Sequence, residues 1–208
     1  MSAAATLAEG LARLQLSLPP QTQQKLLDYV ALVQKWNKVY NLTAVRDTDK
    51  MLTHHLLDSL AVVPYVIDAK RILDVGSGAG LPGIPLALAL PQAQVTLLDS
   101  NQKKAAFLHQ AVIELKLGNA AVVCERVEKY QSNQVFSVVV SRAFADLPAF
   151  VEKAGHLVEA GGTLLAMKGV HPADEIAQIK GGFKLSNVTP LTVPGVSAER
   201  HLVFLKAA

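Results

Sequence analysis

Asp74, Gly76, Gly78, Gly80 and Asp99 have the types and spacing of a nucleotide-binding site. The three glycines alternate with small residues in the stretch RILDVGSGAGLPG, from Arg71 to Gly83. Glycine permits backbone angles that a side chain forbids and lets a ligand approach the main chain closely. Asp99 follows the loop by about 20 residues, the separation at which a carboxylate meets the ribose hydroxyls of a bound nucleotide. It also has the alternative reading of an N-cap for the helix after it. The glycine spacing is G-x-G-x-G, which departs from the dinucleotide fingerprint G-x-G-x-x-G and argues against an NAD-linked oxidoreductase.

The flanking sequence supplies the elements that must hold these residues. Arg71 to Val75 reads as a short buried strand, and Pro85 to Leu90 as the helix that receives the loop. Further strands are expected at Gln94–Asp99, Ala121–Glu125, Ser137–Arg142 and Thr163–Lys168, with helices at Lys103–Leu117 and Leu147–Glu159. Such alternation implies a parallel sheet with helices on both faces. After Gly181-Gly182, Phe183–Pro190 and Arg200–Lys206 read as two antiparallel edge strands, giving seven. Upstream, Ala3–Leu16 reads as a helix weakened by Gly10. Gln21–Tyr40 is a stronger one, with Leu26, Leu27, Val30, Val33 and Val39 on its apolar face. Asp47 or Thr48 caps a third helix running to about Val63. Residues 1–65 are therefore expected to form a helical extension packed on a 66–208 domain.

A ligand of an open parallel sheet sits beyond the carboxyl ends of the strands. That rule brings the 76–81 loop, Asp99 and Ser100, Arg126 to Glu128, Ser141 to Ala143, and Lys168-Gly169 to the site. Half of the chain is apolar, so a substantial core is available. A single cysteine, Cys124, excludes an intramolecular disulfide; its apolar surroundings predict a buried, inert thiol. No signal-peptide pattern opens the chain, and no run approaches the roughly 18 apolar residues of a membrane span. A cytoplasmic monomer without membrane contact is expected. The net charge of +3 and the pI of about 9.0 permit an anionic partner without demanding one.

Three stretches together resemble one family. The first holds Trp36-Asn37, Asn41-Leu42-Thr43 and the run His54 to Leu60. The second is DVGSGAGLPGIPLA, followed by Leu97-Leu98-Asp99-Ser100. The third is Ser141 to Ala145, with Met167-Lys168-Gly169 after it. The D-x-G-x-G-x-G pattern is similar to the first motif of S-adenosylmethionine (SAM)-dependent methyltransferases. The whole is similar to the RsmG family, also called GidB: bacterial enzymes that methylate N7 of a guanine in 16S ribosomal RNA. The resemblance implies a Rossmann-like class I methyltransferase fold, SAM as cofactor, and 16S rRNA or the small ribosomal subunit as partner. It places Gly76 and Leu81 against SAM, Val127 and Glu128 at its adenosine half, and Arg142 at the cofactor near the transferred methyl group. Gly78 and Asp99 join them from the loop argument above.

The chemistry fits that implication. Methyl transfer from a sulfonium is an in-line displacement, so positioning carries much of the acceleration. Guanine N7 offers a lone pair and carries no proton, so no catalytic general base is required; for Arg142, placed near the methyl group by the resemblance, a positioning role is the expectation. A cytosine-C5 enzyme would need a cysteine nucleophile in the site. Exocyclic-amine enzymes resemble one another in an Asn/Asp-Pro-Pro-aromatic motif, where this chain has Ser141-Arg142-Ala143-Phe144. Phe144 reads as a core residue more than a stacking platform. No metal is expected, because His54, His55 and Asp58 lack further ligands. Lys35, Lys38, Arg46, Lys50, Lys103 and Lys104 are candidates for phosphate contacts. A methyltransferase for a small molecule or protein, and a non-catalytic RNA-binding module, are the alternative functions.

Overall fold

Five strands run parallel in the order β3-β2-β1-β4-β5: β1 Arg71–Val75, β2 Gln94–Leu98, β3 Ala120–Val123, β4 Phe136–Ser141 and β5 Val158–Lys168. The computed structural model describes residues 2–142, 144, 146–180 and 182–207; Ala143, Ala145 and Gly181, named above, lie outside them. β6 Phe183–Pro190 and β7 His201–Ala207 complete the sheet, with β7 inserted antiparallel between β5 and β6. Helices α5 Gly83–Ala89, α6 Gln102–Glu114 and α7 Leu147–Ala154 carry three of the crossovers. This is the expected Rossmann-like α/β fold, seven-stranded and mostly parallel. The strand order reverses between β1 and β4, and a crevice opens there at the carboxyl ends.

The central strands β1 and β4 read as largely apolar runs because both of their faces are covered. Ile72, Val95, Leu97, Val138 and Val140 pack with α5, α6 and the N-terminal helices. Their neighbours Leu73, Val75, Leu98 and Val139 pack on the other face with Leu147 and Phe150 of α7.

The N-terminal helices are α1 Ala3–Arg13 and α2 Pro20–Tyr40. Pro20 takes the first position of α2, where its missing N–H costs nothing. Gly10 lets α1 pack closely on the 52–57 stretch: a Cβ there would stand 2.5 Å from Leu57 Cδ1. Asp47 caps the third helix, as one of the two expected candidates, by accepting from Lys50 N–H. That helix is not uniform. It comprises α3 Thr48–Met51, a π-helical stretch Leu52–Leu57 and α4 Asp58–Leu60.

Other boundaries shift for local reasons. The helix expected to reach Glu159 ends at Ala154. Val158 and Glu159 open β5 instead, and Glu159 pairs with Arg71 at 2.8 Å across the sheet. β3 stops at Val123, so Cys124 lies one residue past it and is exposed, not buried. Val39, expected on the apolar face of α2, is 72% exposed, because the last turn of that helix extends past the core. The face is instead Leu26, Tyr29, Val30, Leu32 and Val33. The last helix, α8 Ala173–Ala177, is short and packs near α7.

Candidate active site

The glycine loop is stitched to the strand beside it. Gly76 N and Ser77 N both donate to Leu98 O, at 2.9 and 3.1 Å. Gly76, Gly78 and Gly80 have φ of +71°, +60° and +88°, a region that side chains disfavour. Beneath the loop, Asp74 is fully buried. Its Oδ2 accepts from Ser77 Oγ at 2.5 Å and from Gly83 N at 2.9 Å, which fixes both ends of the turn. Its Oδ1 has no partner among the described residues. Burial pushes this carboxyl up to about 6, against the lowering effect of those two hydrogen bonds.

Asp99 spans the crevice from the end of β2. Its Oδ2 accepts from Gly78 N and its Oδ1 from Asn101 N, both at 2.8 Å. The N-cap of α6 is Asn101, which accepts from Lys103 N and Lys104 N, so the capping alternative for Asp99 does not hold. Each carboxylate oxygen has two lone pairs, so Asp99 keeps acceptors for a diol. Tyr29 holds the loop from behind, donating from Oη to Ala79 O at 2.7 Å. Burial drives its phenol far above the ordinary range, so it remains a neutral donor.

Gly76, Asp99, Val127 and Glu128 converge on one cleft of about 250 Å³, together with Val75, Leu98 and Phe144. Phe144 is both core and lining: its ring stands 4.9 Å from that of Phe150. Val127 is buried and apolar, whereas Glu128 is exposed and pairs with Arg126 at 2.6 Å. Its own backbone N–H and that guanidinium hold the Glu128 carboxyl below the usual range. Gly78 stands behind the cleft and reaches it through Asp99. Leu81 is buried, with its side chain in the core on the α5 side. Apolar walls, a bare backbone loop and three carboxylates, Asp99, Glu125 and Glu128, against two cations, Arg126 and Lys153, fit a cationic nucleoside donor such as SAM.

Arg142 faces a neighbouring cavity of about 350 Å³, with His54, His55, Asp58, Lys168, Arg200 and His201. The two sites adjoin: Ser141 Oγ donates to Val75 O at 2.7 Å, joining the ends of β4 and β1. The centre of this cavity is Asp58, whose side chain is 3% exposed. It binds Arg142 Nη1 at 3.3 Å and Arg200 Nε at 2.8 Å. Arg142 Nη1 also donates to His54 O in the π-helical stretch, at 3.3 Å. Burial, then the charge of Arg142, lowers the pKa of His55. Among the described residues, no group of three metal-binding side chains occurs.

Tyr29 and Arg200 were absent from the residues picked by motif. A tyrosine on the apolar face of α2 is a weak signal for the first. Nothing in the sequence near Arg200 marks the second.

Comparisons with known proteins place the chain in a family and a fold. The family model described as GidB, rRNA small subunit methyltransferase G, matches residues 22–203. Ribosomal RNA small subunit methyltransferase G from Nitrosospira multiformis is 55% identical over 215 residues, covering 100% of this chain and 99% of that one. Its counterpart from Aromatoleum aromaticum is 54% identical over 207 residues, with 98% of each covered. Among solved structures, the glycopeptide N-methyltransferase MtfA aligns with a TM-score of 0.63 at 13% identity, over 74% of this chain and 96% of that one. TYW2 of M. jannaschii in complex with AdoMet aligns with a TM-score of 0.55 at 15% identity, covering 73% and 77%. These two likenesses concern the fold alone. Sequence match along nearly the whole length, on a methyltransferase fold with its glycine loop intact, shows that the chain belongs to the GidB family of SAM-dependent rRNA small subunit methyltransferases.

Proposed function

We propose that this protein transfers the methyl group of SAM to N7 of a guanine in 16S rRNA. The observation that carries the reading is the pairing of two adjoining cavities at the carboxyl rim of the sheet. One has a bare loop crossed by Asp99, and the other is lined by Arg142, Lys168 and Arg200. SAM supplies a methyl group on a positively charged sulfur. In the first cavity, Gly76 offers backbone to the donor, Asp99 accepts from its ribose hydroxyls, and Val127 packs on its adenine. Gly78 holds Asp99 in place, Glu128 reaches the adenosine half from the rim, and Leu81 supports the loop from the core.

The second cavity takes the acceptor base. Asp58 neutralises part of the charge of Arg142 and Arg200 and fixes both guanidinium groups in place. That matters for this acceptor, because alkylation at N7 leaves a cationic ring, which unpaired arginines would repel. The base needs no deprotonation, so the residues orient it, and the acceleration comes from alignment of N7 with the methyl group. Guanine N7 faces the deep, narrow major groove of A-form RNA, so the target lies in an unpaired or looped segment. Residues 1–65 act as a helical extension that braces the loop of the 66–208 methyltransferase domain.

Incubation with methyl-labelled SAM and small ribosomal subunits lacking the modification tests the reading. Label is expected in the 16S rRNA. Label confined to protein or to small molecules would reject it.

A further inference from the structure

Helix α2 crosses the whole depth of the sheet. Its first turns, at Gln21, Thr22 and Lys25, lie beside Gln94 and Asn119, where β2 and β3 begin. Tyr29 reaches Ala79 at the opposite rim. Eleven more residues at 1.5 Å each extend α2 by about 16 Å towards and past that rim. Ligands of open parallel sheets bind at this rim. The extending end and the segment after it enclose a cavity of about 490 Å³, whose lining includes Gln34, Lys35, Asn37, Lys38 and Arg46 but no carboxylate.

The walls of this cavity are fixed. Gln34 bonds Thr48 across from α2 to α3. Asn37 is buried: its Nδ2 donates to Val45 O at 3.3 Å, and its Oδ1 accepts from Thr43 N at 2.9 Å. Thr43 Oγ1 in turn meets His55 Nε2 at 2.7 Å. The 43–46 strip is thereby pinned, with Val45 lining the Arg142 cavity and Arg46 lining this one. Asp47, next in sequence, has its carboxylate engaged as the cap of α3. Among the described residues, none of Lys35, Lys38 and Arg46 is in an ion pair. Three exposed cations without a carboxylate, around a built concavity, suit a polyanion.

We infer that Lys35, Lys38 and Arg46 form an anchor for RNA backbone phosphates, separate from the two cavities that hold donor and base. The inference rests on the rRNA reading above. The anchor grips the strand on the far side of the 43–46 strip from Arg142, so the target nucleotide is delivered to the second cavity with its flank already held. Lys103 and Lys104, at the start of α6, do not line this cavity.

Binding of deproteinised 16S rRNA across a salt series tests this. Each phosphate contact on a single strand contributes about 0.7 to the slope of log affinity against log salt. The triple variant Lys35→Gln, Lys38→Gln, Arg46→Gln is expected to lose about 2 from that slope and at least ~10-fold in low-salt affinity, with SAM affinity and melting temperature unchanged. If the triple variant unfolds, each single variant is expected to lose about 0.7 from the slope. The pair Lys103→Gln, Lys104→Gln is the comparator. A slope equal to wild type, or an equal loss in the comparator, overturns the anchor while methylation of RNA stands. A wild-type protein that neither binds nor methylates RNA removes the rRNA reading and the anchor with it.

Discussion

Tyr29 Oη donates to Ala79 O at 2.7 Å, so a helix from the first forty residues holds the glycine loop from behind, away from the cleft lined by Gly76 and Asp99. The bond is buried and joins positions fifty residues apart. One such bond contributes about 0.5–1.5 kcal/mol. Tyr29→Phe removes the hydroxyl and keeps the ring. SAM affinity measured by calorimetry is expected to fall about 3- to 10-fold, with secondary structure intact. Unchanged affinity would show that the loop keeps its shape without the tether.

Asp99 has a heavier load, since it binds two backbone N–H groups and is proposed to accept from the ribose hydroxyls of SAM. Asp99→Ala leaves Gly78 N and Asn101 N without their acceptor. Hydrogen bonds to a charged group contribute about 1.5–3 kcal/mol each. SAM binding is expected to weaken by at least ~30-fold, and the melting temperature to fall. A variant that binds SAM as wild type would remove Asp99 from the site.

Asp58 is expected to act on the acceptor side only. Asp58→Asn keeps the shape and removes the charge shared by Arg142 and Arg200. Turnover on small ribosomal subunits is expected to fall roughly 10- to 100-fold, the equivalent of one charge-assisted bond, with the SAM dissociation constant within about twofold of wild type. Equal losses in both quantities would place Asp58 in the donor cleft instead.

Asp74 links loop architecture to pH. Its folded pKa of about 6 lies above its ordinary 3.8, so the folded state binds the proton more tightly than the unfolded one. That contribution is complete below the unfolded value and is lost as the pH rises through about 6. Urea unfolding of wild type and Asp74→Asn isolates it. Between acidic and neutral pH, wild type is expected to lose about 3 kcal/mol relative to the variant. A constant difference would mean that Asp74 does not titrate in that window.

Local pattern carried the parts of the fold that local physics decides. β1 spans Arg71–Val75 as read, because a strand buried on both faces is an apolar run with sharp ends. β6, a largely exposed edge strand, also spans Phe183–Pro190 as read, set off by Gly182 before it and ending on Pro190. Asp99 and the loop were legible because one short stretch of chain sets their separation. Relationships between distant residues were not legible. Asp58 and Arg200 meet 142 residues apart, only because β7 enters the sheet between β5 and β6. Cys124 was misplaced because β3 stops one residue before it, and composition does not mark that stop. Val39 obeys helical periodicity yet is exposed, since periodicity does not say where the core ends.

The proposed acceptor atom is guanine N7. N7-methylguanine is labile to borohydride and aniline, so strand cleavage locates it in 16S rRNA. Small ribosomal subunits lacking the modification, treated with this protein and SAM, are expected to gain one cleavage site at a guanine, which Asp99→Ala fails to produce. Methyl incorporation into that RNA without a new cleavage site would contradict the account, because the group would then reside on another atom.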